Sequence, residues 1–317
     1  MTTIGYALSS EEHRPSDLVR HARLAEEAGF TYALISDHFH PWIDRQGQSP
    51  FVWAVIGGIA QQTSELRLGT GVTCPLLRIH PAIVAQAAAT AAAMLPGRFF
   101  LGVGTGEALN EHVLAQRWPP TGVRREMLEE AVELIRLLWE GELTSHSGRH
   151  FTVENARLYT VPEQPPPIAV AAGGPEAAAL AGRIGDALVT TSPDRQLVEA
   201  FRGAGADGPR YGQLTVCYDE DEARARRTAF AWWPNAALKG PLGQELPLPS
   251  DFEQAAAMVT EDDVAEAVVC GPNPERHAEA IAEFEQAGYD HAYVHQVGPD
   301  QEGFIRFFSR ELLPRYR

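Results

Sequence analysis

Residues 26–38 read EEAGFTYALISDH, and residues 285–297 read EQAGYDHAYVHQV. Each stretch is an acidic helix end, a glycine, and an apolar run that closes on polar residues, at the same spacing. Gly29 and Gly288 stand where a left-handed residue stops a helix at low steric cost. Two copies of one helix-to-strand joint, near opposite ends of the chain, point to βα units around a parallel sheet.

Working outward, apolar runs read as strands at 4–8, 32–36, 66–72, 99–104, 168–173, 187–192, 213–219 and 291–297. Amphipathic stretches at 15–28, 50–63, 80–94, 121–140, 175–183, 194–203, 221–230, 273–287 and 300–313 read as helices between and after them. Eight strands with helical crossovers predict a (β/α)8 TIM barrel occupying residues 1–317 as a single domain. That fold typically takes about 250 residues, which leaves roughly 65 for insertions. One insertion is expected near 141–166, where GRHFTVENARLY looks like a small strand pair. The other is expected near 231–262, rich in Pro, Gly and Trp, as a lid over the barrel mouth.

Bulk composition narrows the function. A formal net charge of −16 is unsuited to nucleic acid or anionic membrane, which require clustered Lys and Arg. No run approaches the roughly 18 apolar residues of a membrane span, and the N-terminus enters a strand without a leader-like pattern, so a cytoplasmic protein is expected. Cys74, Cys217 and Cys270 lie far apart without CxxC spacing, which argues against a thiolate metal site or a disulfide framework.

Barrel active sites form at strand C-termini. The residues collected there are Ser9 to Glu12 after strand one, Asp37, His38, His40 and Trp42 after strand two, Thr70 to Thr73 after strand three, and Thr105, Glu107, Asn110 and Glu111 after strand four. AAGGPE follows strand five, TTS strand six, and His295 with Gln296 strand eight. The HxH of SDHFHPW (36–42) could bind zinc, but such a site needs further ligands. Strands five and six end in small and hydroxyl residues, so no metal is expected. AAGGPE (171–176) suits an anion: Gly173 and Gly174 permit close approach, Pro175 opens a helix, and a helix N-terminus attracts phosphate. GTGEALNE (104–111) brings Glu107 to the rim that carries His38, a carboxyl and an imidazole able to serve as acid and base.

At SDHFHPW, GTGV, PGRFFLGVGTGEALNE, LEEAVELIRLLWEG and AAGGP, the chain resembles the luciferase-like superfamily, in its branch of coenzyme F420-dependent oxidoreductases typified by F420-dependent glucose-6-phosphate dehydrogenase. The resemblance implies a barrel, usually a homodimer, that holds a deazaflavin at the strand ends and transfers a hydride to or from a small alcohol, carbonyl or activated alkene. It implies His38, Glu107 and Trp42 as catalytic residues, and Glu11 with Trp42 on the substrate side. Asp37, Thr105, Gly106, Asn110, Ala172, Gly173, Gly174 and Thr191 are implied as coenzyme contacts, and Gly71–Val72 as a nonproline cis peptide behind the ring. FMN is the alternative cofactor, with a flavin oxidoreductase, monooxygenase or noncatalytic flavin-binding protein as the corresponding activity.

The pattern departs at the substrate phosphate. Three basic residues clamp it in the sugar-phosphate enzymes; here TTSPDRQ has only Arg195, DVAEAVVCG has none, and Lys239 is the remaining cation, on the insertion. One or two cations give a weak charge-assisted grip. A substrate other than glucose 6-phosphate is expected.

Overall fold

The computed structural model describes residues 2–238 and 240–316. Eight parallel strands run β1 (Thr3–Leu8), β2 (Tyr32–Ile35), β3 (Arg67–Thr70), β4 (Phe99–Val103), β5 (Ile168–Ala171), β6 (Ala187–Thr190), β7 (Arg210–Cys217) and β8 (His291–Gln296). Neighbours in sequence are neighbours in space, β8 pairs with β1, and the β6–β7 pairing closes the ring. This is the predicted (β/α)8 barrel. The outer helices are α1 (Pro15–Ala28), α2 (Val52–Gln62), α3 (Pro81–Met94), α4 (Thr121–Trp139), α5 (Pro175–Ile184), α6 (Arg195–Gly203), α7 (Glu222–Trp232), α8 (Pro274–Ala287) and α9 (Gln301–Phe307).

The duplicated joint is real. Gly29 and Gly288 both sit at φ 100°, closing α1 and α8 before β2 and β8. Side chains alternate along each strand. Ala33, Ile35, Ala292 and Val294 join the core under the helices, whereas Tyr32, Leu34, Phe100, Tyr211 and Tyr293 fill the lumen. Phe100 stacks on Tyr211 at 5.2 Å between ring centroids. A Cβ on Gly69 would lie 2.1 Å from the Phe100 ring, so glycine there makes room for the plug. The barrel floor is therefore packed solid, and chemistry is confined to the other end.

Several strands stop earlier than their apolar runs: β3 ends at Thr70 and β6 at Thr190, because the following residues turn into the mouth. The predicted strand pair in the first insertion is displaced. The strands are Thr144–Ser147 and Thr152–Ala156, with the turn inside GRHF, where Gly148 N–H reaches Phe151 O at 3.0 Å. Glu130 on α4 accepts the N–H groups of Arg149, His150 and Phe151 at 3.1, 2.9 and 2.8 Å, a tertiary pin invisible in the local pattern. C-terminal to α9, the expected helix to 313 becomes a π turn over Phe308–Leu312.

The second insertion is helical, with short helices at Leu242–Glu245, Pro249–Ala256 and Glu261–Ala267. Buried Arg124 of α4 anchors it by donating to Gln244 Oε1 at 3.0 Å. Phe252 meets Trp42 at 5.1 Å and Trp233 meets His295 at 4.4 Å, so the segment does cover the rim. Among the described residues, no helix is long and apolar enough to cross a membrane.

Candidate active site

β1 and β2 are adjacent, and the turns beyond them are stitched together: Ser36 N–H reaches Leu8 O at 3.2 Å and Ser10 N–H reaches Ser36 Oγ at 2.9 Å. This brings Glu11 to His38, with 3.2 Å between Oε1 and Nε2. The other Glu11 oxygen accepts from Ser36 Oγ at 2.5 Å and Ser9 Oγ at 3.1 Å. Burial alone would raise the Glu11 carboxyl, but the His38 charge and the Ser36 hydroxyl outweigh it and hold the group below the usual carboxylate range. His38 Nδ1 lies 3.1 Å from His40 O, a group that can only accept, so Nδ1 carries hydrogen. Nε2 and Glu11 then share whatever further proton the pair holds. Trp42 packs against the imidazole at 5.0 Å and bridges to the apolar residues Ile43, Leu109 and Phe252.

Glu107 is half-buried on the same rim. Gly106, at φ 72°, makes the turn, and a Cβ there would lie 2.6 Å from Cys74 Sγ. Thr105, also half-buried, precedes it. Asn110 connects Glu107 to the His38 loop: its Nδ2 donates to Glu107 at 3.3 Å, while its Oδ1 accepts Phe39 N–H at 2.8 Å and His40 N–H at 3.2 Å.

The Gly71–Val72 peptide is cis, as expected from the resemblance. Ala172 is buried and Thr191 exposed at the ends of β5 and β6. Gly173 and Gly174 would carry a Cβ into open space, with nothing within 4 Å. Gly174 caps α5 without a side-chain hydrogen bond and Pro175 follows at the first helical position. The free N–H groups of that helix start therefore face an open approach, which fits a phosphate.

Three of the expected contact residues make internal contacts. Asp37 is 4% exposed, with Arg78 Nη2 on Oδ1 at 2.8 Å and Thr73 Oγ1 on Oδ2 at 2.7 Å. A carboxylate so buried needs those partners, and they turn it into an anchor for the His38 loop. Asn110, 2% exposed, holds the same loop through the Phe39 and His40 N–H groups. Arg195 opens α6 and donates to Gln286 O at 2.6 Å, at the end of α8, so its described hydrogen bond does not belong to a substrate clamp. Lys239 lies outside the described residues. DVAEAVVCG forms a helix end and a two-residue strand beside β7 and adds no cation.

The two histidines of SDHFHPW do not converge on one point. His40 Nδ1 lies 2.9 Å from Leu109 O and its ring stacks on His112 at 5.6 Å, which gives it an anchoring role.

Sequence reading missed two arrangements. Arg78, eight residues past β3, also reaches Glu111 through its own N–H at 2.7 Å and its Nε at 3.5 Å, joining the β2, β3 and β4 loops around one guanidinium. No local signal marks it. Glu12 and His295 were visible as strand-end residues without a role; they pair at 2.9 Å.

The family model for luciferase-like monooxygenases matches residues 1–291. The chain is 36% identical to an F420-dependent glucose-6-phosphate dehydrogenase of Microbacterium testaceum, over 99% of this chain and 97% of the relative. It is 39% identical to an F420-dependent hydroxymycolic acid dehydrogenase of Mycobacterium tuberculosis, over 99% of this chain and 88% of the relative. A solved F420-dependent secondary alcohol dehydrogenase, in complex with an F420-acetone adduct, superposes with a TM-score of 0.92 at 34% identity, covering 100% of both chains. The chain belongs to the luciferase-like family, among its F420-dependent dehydrogenases.

Proposed function

We propose that this protein is an F420-dependent oxidoreductase acting on a small neutral alcohol or its carbonyl. The carrying observation is the buried His38–Glu11 pair under Trp42, on a barrel rim that also presents the open, uncapped helix start at Gly173–Gly174. Relatives sharing a third of the sequence are named for F420, which supports that coenzyme over FMN.

The deazaflavin, when bound, supplies a hydride acceptor and donor. The chain supplies the proton chemistry. With one proton on Nε2, the His38–Glu11 unit is an acid that can protonate a carbonyl oxygen; with Nε2 bare, it takes the hydroxyl proton of an alcohol. Glu107, tied to the same loop through Asn110, is the second carboxyl able to exchange a proton at the rim. Trp42, Phe252 and Trp233 exclude water from one side and offer apolar surface. The N–H groups opening α5, beside Ala172 and Thr191, would hold the coenzyme phosphate. With Arg195 engaged by Gln286 and no cation in DVAEAVVCG, a sugar phosphate would find fewer partners for its charges.

Fluorescence titration is expected to give saturable F420 binding and, with secondary alcohols, coenzyme reduction. Micromolar FMN affinity without an F420 response would defeat the reading. Gly173→Val places a branched side chain in the open approach at a position whose backbone tolerates it, so stability should stay within about 0.5 kcal/mol. F420 affinity should fall about tenfold or more, roughly 1.4 kcal/mol or more; unchanged affinity would remove the phosphate from this loop.

We extend the proposal to a cytoplasmic homodimer. The exposed apolar residues Phe51, Ile83 and Met94 support association, and the three free cysteines suit a reducing compartment.

A further inference from the structure

His38 and Glu11 are 9% and 3% exposed, yet the proposed reaction leaves this unit one proton richer or poorer at every turnover. One route for that proton leads through buried protein. Alternation along β8 puts His295 in the lumen one layer above Tyr293. The strand order β8–β1–β2 sets it beside the 9–13 turn and the His38 loop. Its Nε2 meets Glu12 Oε2 at 2.9 Å, and the second Glu12 oxygen accepts Gly298 N–H at 2.8 Å.

His295 Nδ1 is buried without a hydrogen-bond partner among the described residues, and so are His13 Nε2 and His21 Nδ1. His13 follows Glu12 directly, and its ring meets that of His21 edge-on at 5.1 Å. His21 Nε2 lies 3.5 Å from Arg20, whose side chain is 45% exposed on α1. An unpaired buried polar group is costly. The His13 and His21 rings are in edge contact and His295 is near enough to act electrostatically on His13, and each of these rings can take a proton at one nitrogen and release it from the other.

We propose that Glu12, His295, His13 and His21 form a proton path between the His38–Glu11 unit and the outer face of α1. The proposal rests on that unit changing protonation during turnover. In oxidation, the substrate O–H bond breaks as N–H forms at His38, the C–H hydride would go to the deazaflavin, and the proton that the reduced ring takes up would come from Glu107 at the rim, so release through the path is balanced by uptake at the mouth. One proton then moves outward by successive making and breaking of N–H and O–H bonds, water at α1 accepts it, and no electron moves along the path. Burial, with the charges of neighbouring His295 on His13 and of His13 and Arg20 on His21, lowers both imidazoles, His21 to about 4, against the raising effect of Glu11, Glu12, Asp17 and Glu302. Both therefore rest neutral near pH 7, with a lone pair to receive the proton.

The test is exchange of the His295 side-chain N–H with water, measured by NMR on the coenzyme-free, 15N-histidine-labelled chain. His21→Phe should slow it roughly tenfold or more, with a wild-type melting temperature. In a single turnover with F420 and a secondary alcohol, the same variant should keep the hydride step within about twofold of wild type and delay proton release roughly tenfold. Unchanged exchange, or proton release still in step with hydride transfer, overturns the path. Should His21→Phe not fold, His13→Gln is read in the same way. If the wild-type chain reduces no coenzyme with any alcohol, the proposed function falls, while the exchange rate still decides the path.

Discussion

His38→Ala lowers turnover by about 10²–10⁴-fold, the usual worth of a positioned acid–base group, and leaves F420 affinity nearly unchanged. The imidazole lies 3.2 Å from Glu11 Oε1, and the other Glu11 oxygen is held by the Ser9 and Ser36 hydroxyls. Removing the ring strands a buried carboxylate and takes away the atom that exchanges the substrate proton. The loss should appear in kcat and in kcat/KM alike, because the lost interaction belongs to the transition state. Steady-state kinetics beside a fluorescence titration separates the two quantities. Normal turnover in this variant would disprove the role given to His38.

The second large effect is on stability. Arg78→Ala leaves Asp37 and Glu111 buried without their cation, at an expected cost of about 3–5 kcal/mol, read by urea unfolding. Arg78 is 7% exposed at its side chain and both carboxylates are fully covered, so solvent cannot substitute for it. Arg78→Lys should recover only part of the loss, since a point charge cannot reproduce the fork that spans two carboxylates.

The pH dependence has a definite sign. Burial already pushes the Glu111 carboxyl up, against the lowering effect of Arg78 and of the backbone N–H groups. Without Arg78 it rises further. A carboxyl raised in the folded state above its unfolded value contributes stability at low pH that is lost as pH climbs through the raised value. The variant's deficit relative to wild type should therefore widen between about pH 5 and about pH 8. A deficit that narrowed on that climb would show that Glu111 is not the group left unpaired.

These two residues mark what could and could not be seen in the chain. His38 was legible because its neighbours are local: Trp42 and His40 lie within four residues, and the loop follows an apolar run with an obvious end. The barrel itself was legible for the same reason, since helix and strand periods, glycine stops and strand spacing are all local properties, and eight strands alternating with helices leave few alternatives.

Arg78 was not legible. Its value comes from Asp37 and Glu111, 41 and 33 positions away, and no local rule distinguishes it from a solvated arginine. The same holds for Glu12 with His295, 283 residues apart, and for Arg195, which looked like a phosphate ligand until α8 supplied Gln286. Asp37 stood in the right motif, but only the fold shows that its two oxygens are occupied.

By itself the sequence determined the fold class and pointed to the rim where the strands end, because periodicity and short motifs are written within a few residues of one another. Only the tertiary structure decided which polar side chains are free to act and which are consumed as anchors. Pairing of buried charges is settled by closure of the ring, which brings β8 against β1 and places residues from opposite ends of the chain within 3 Å of each other.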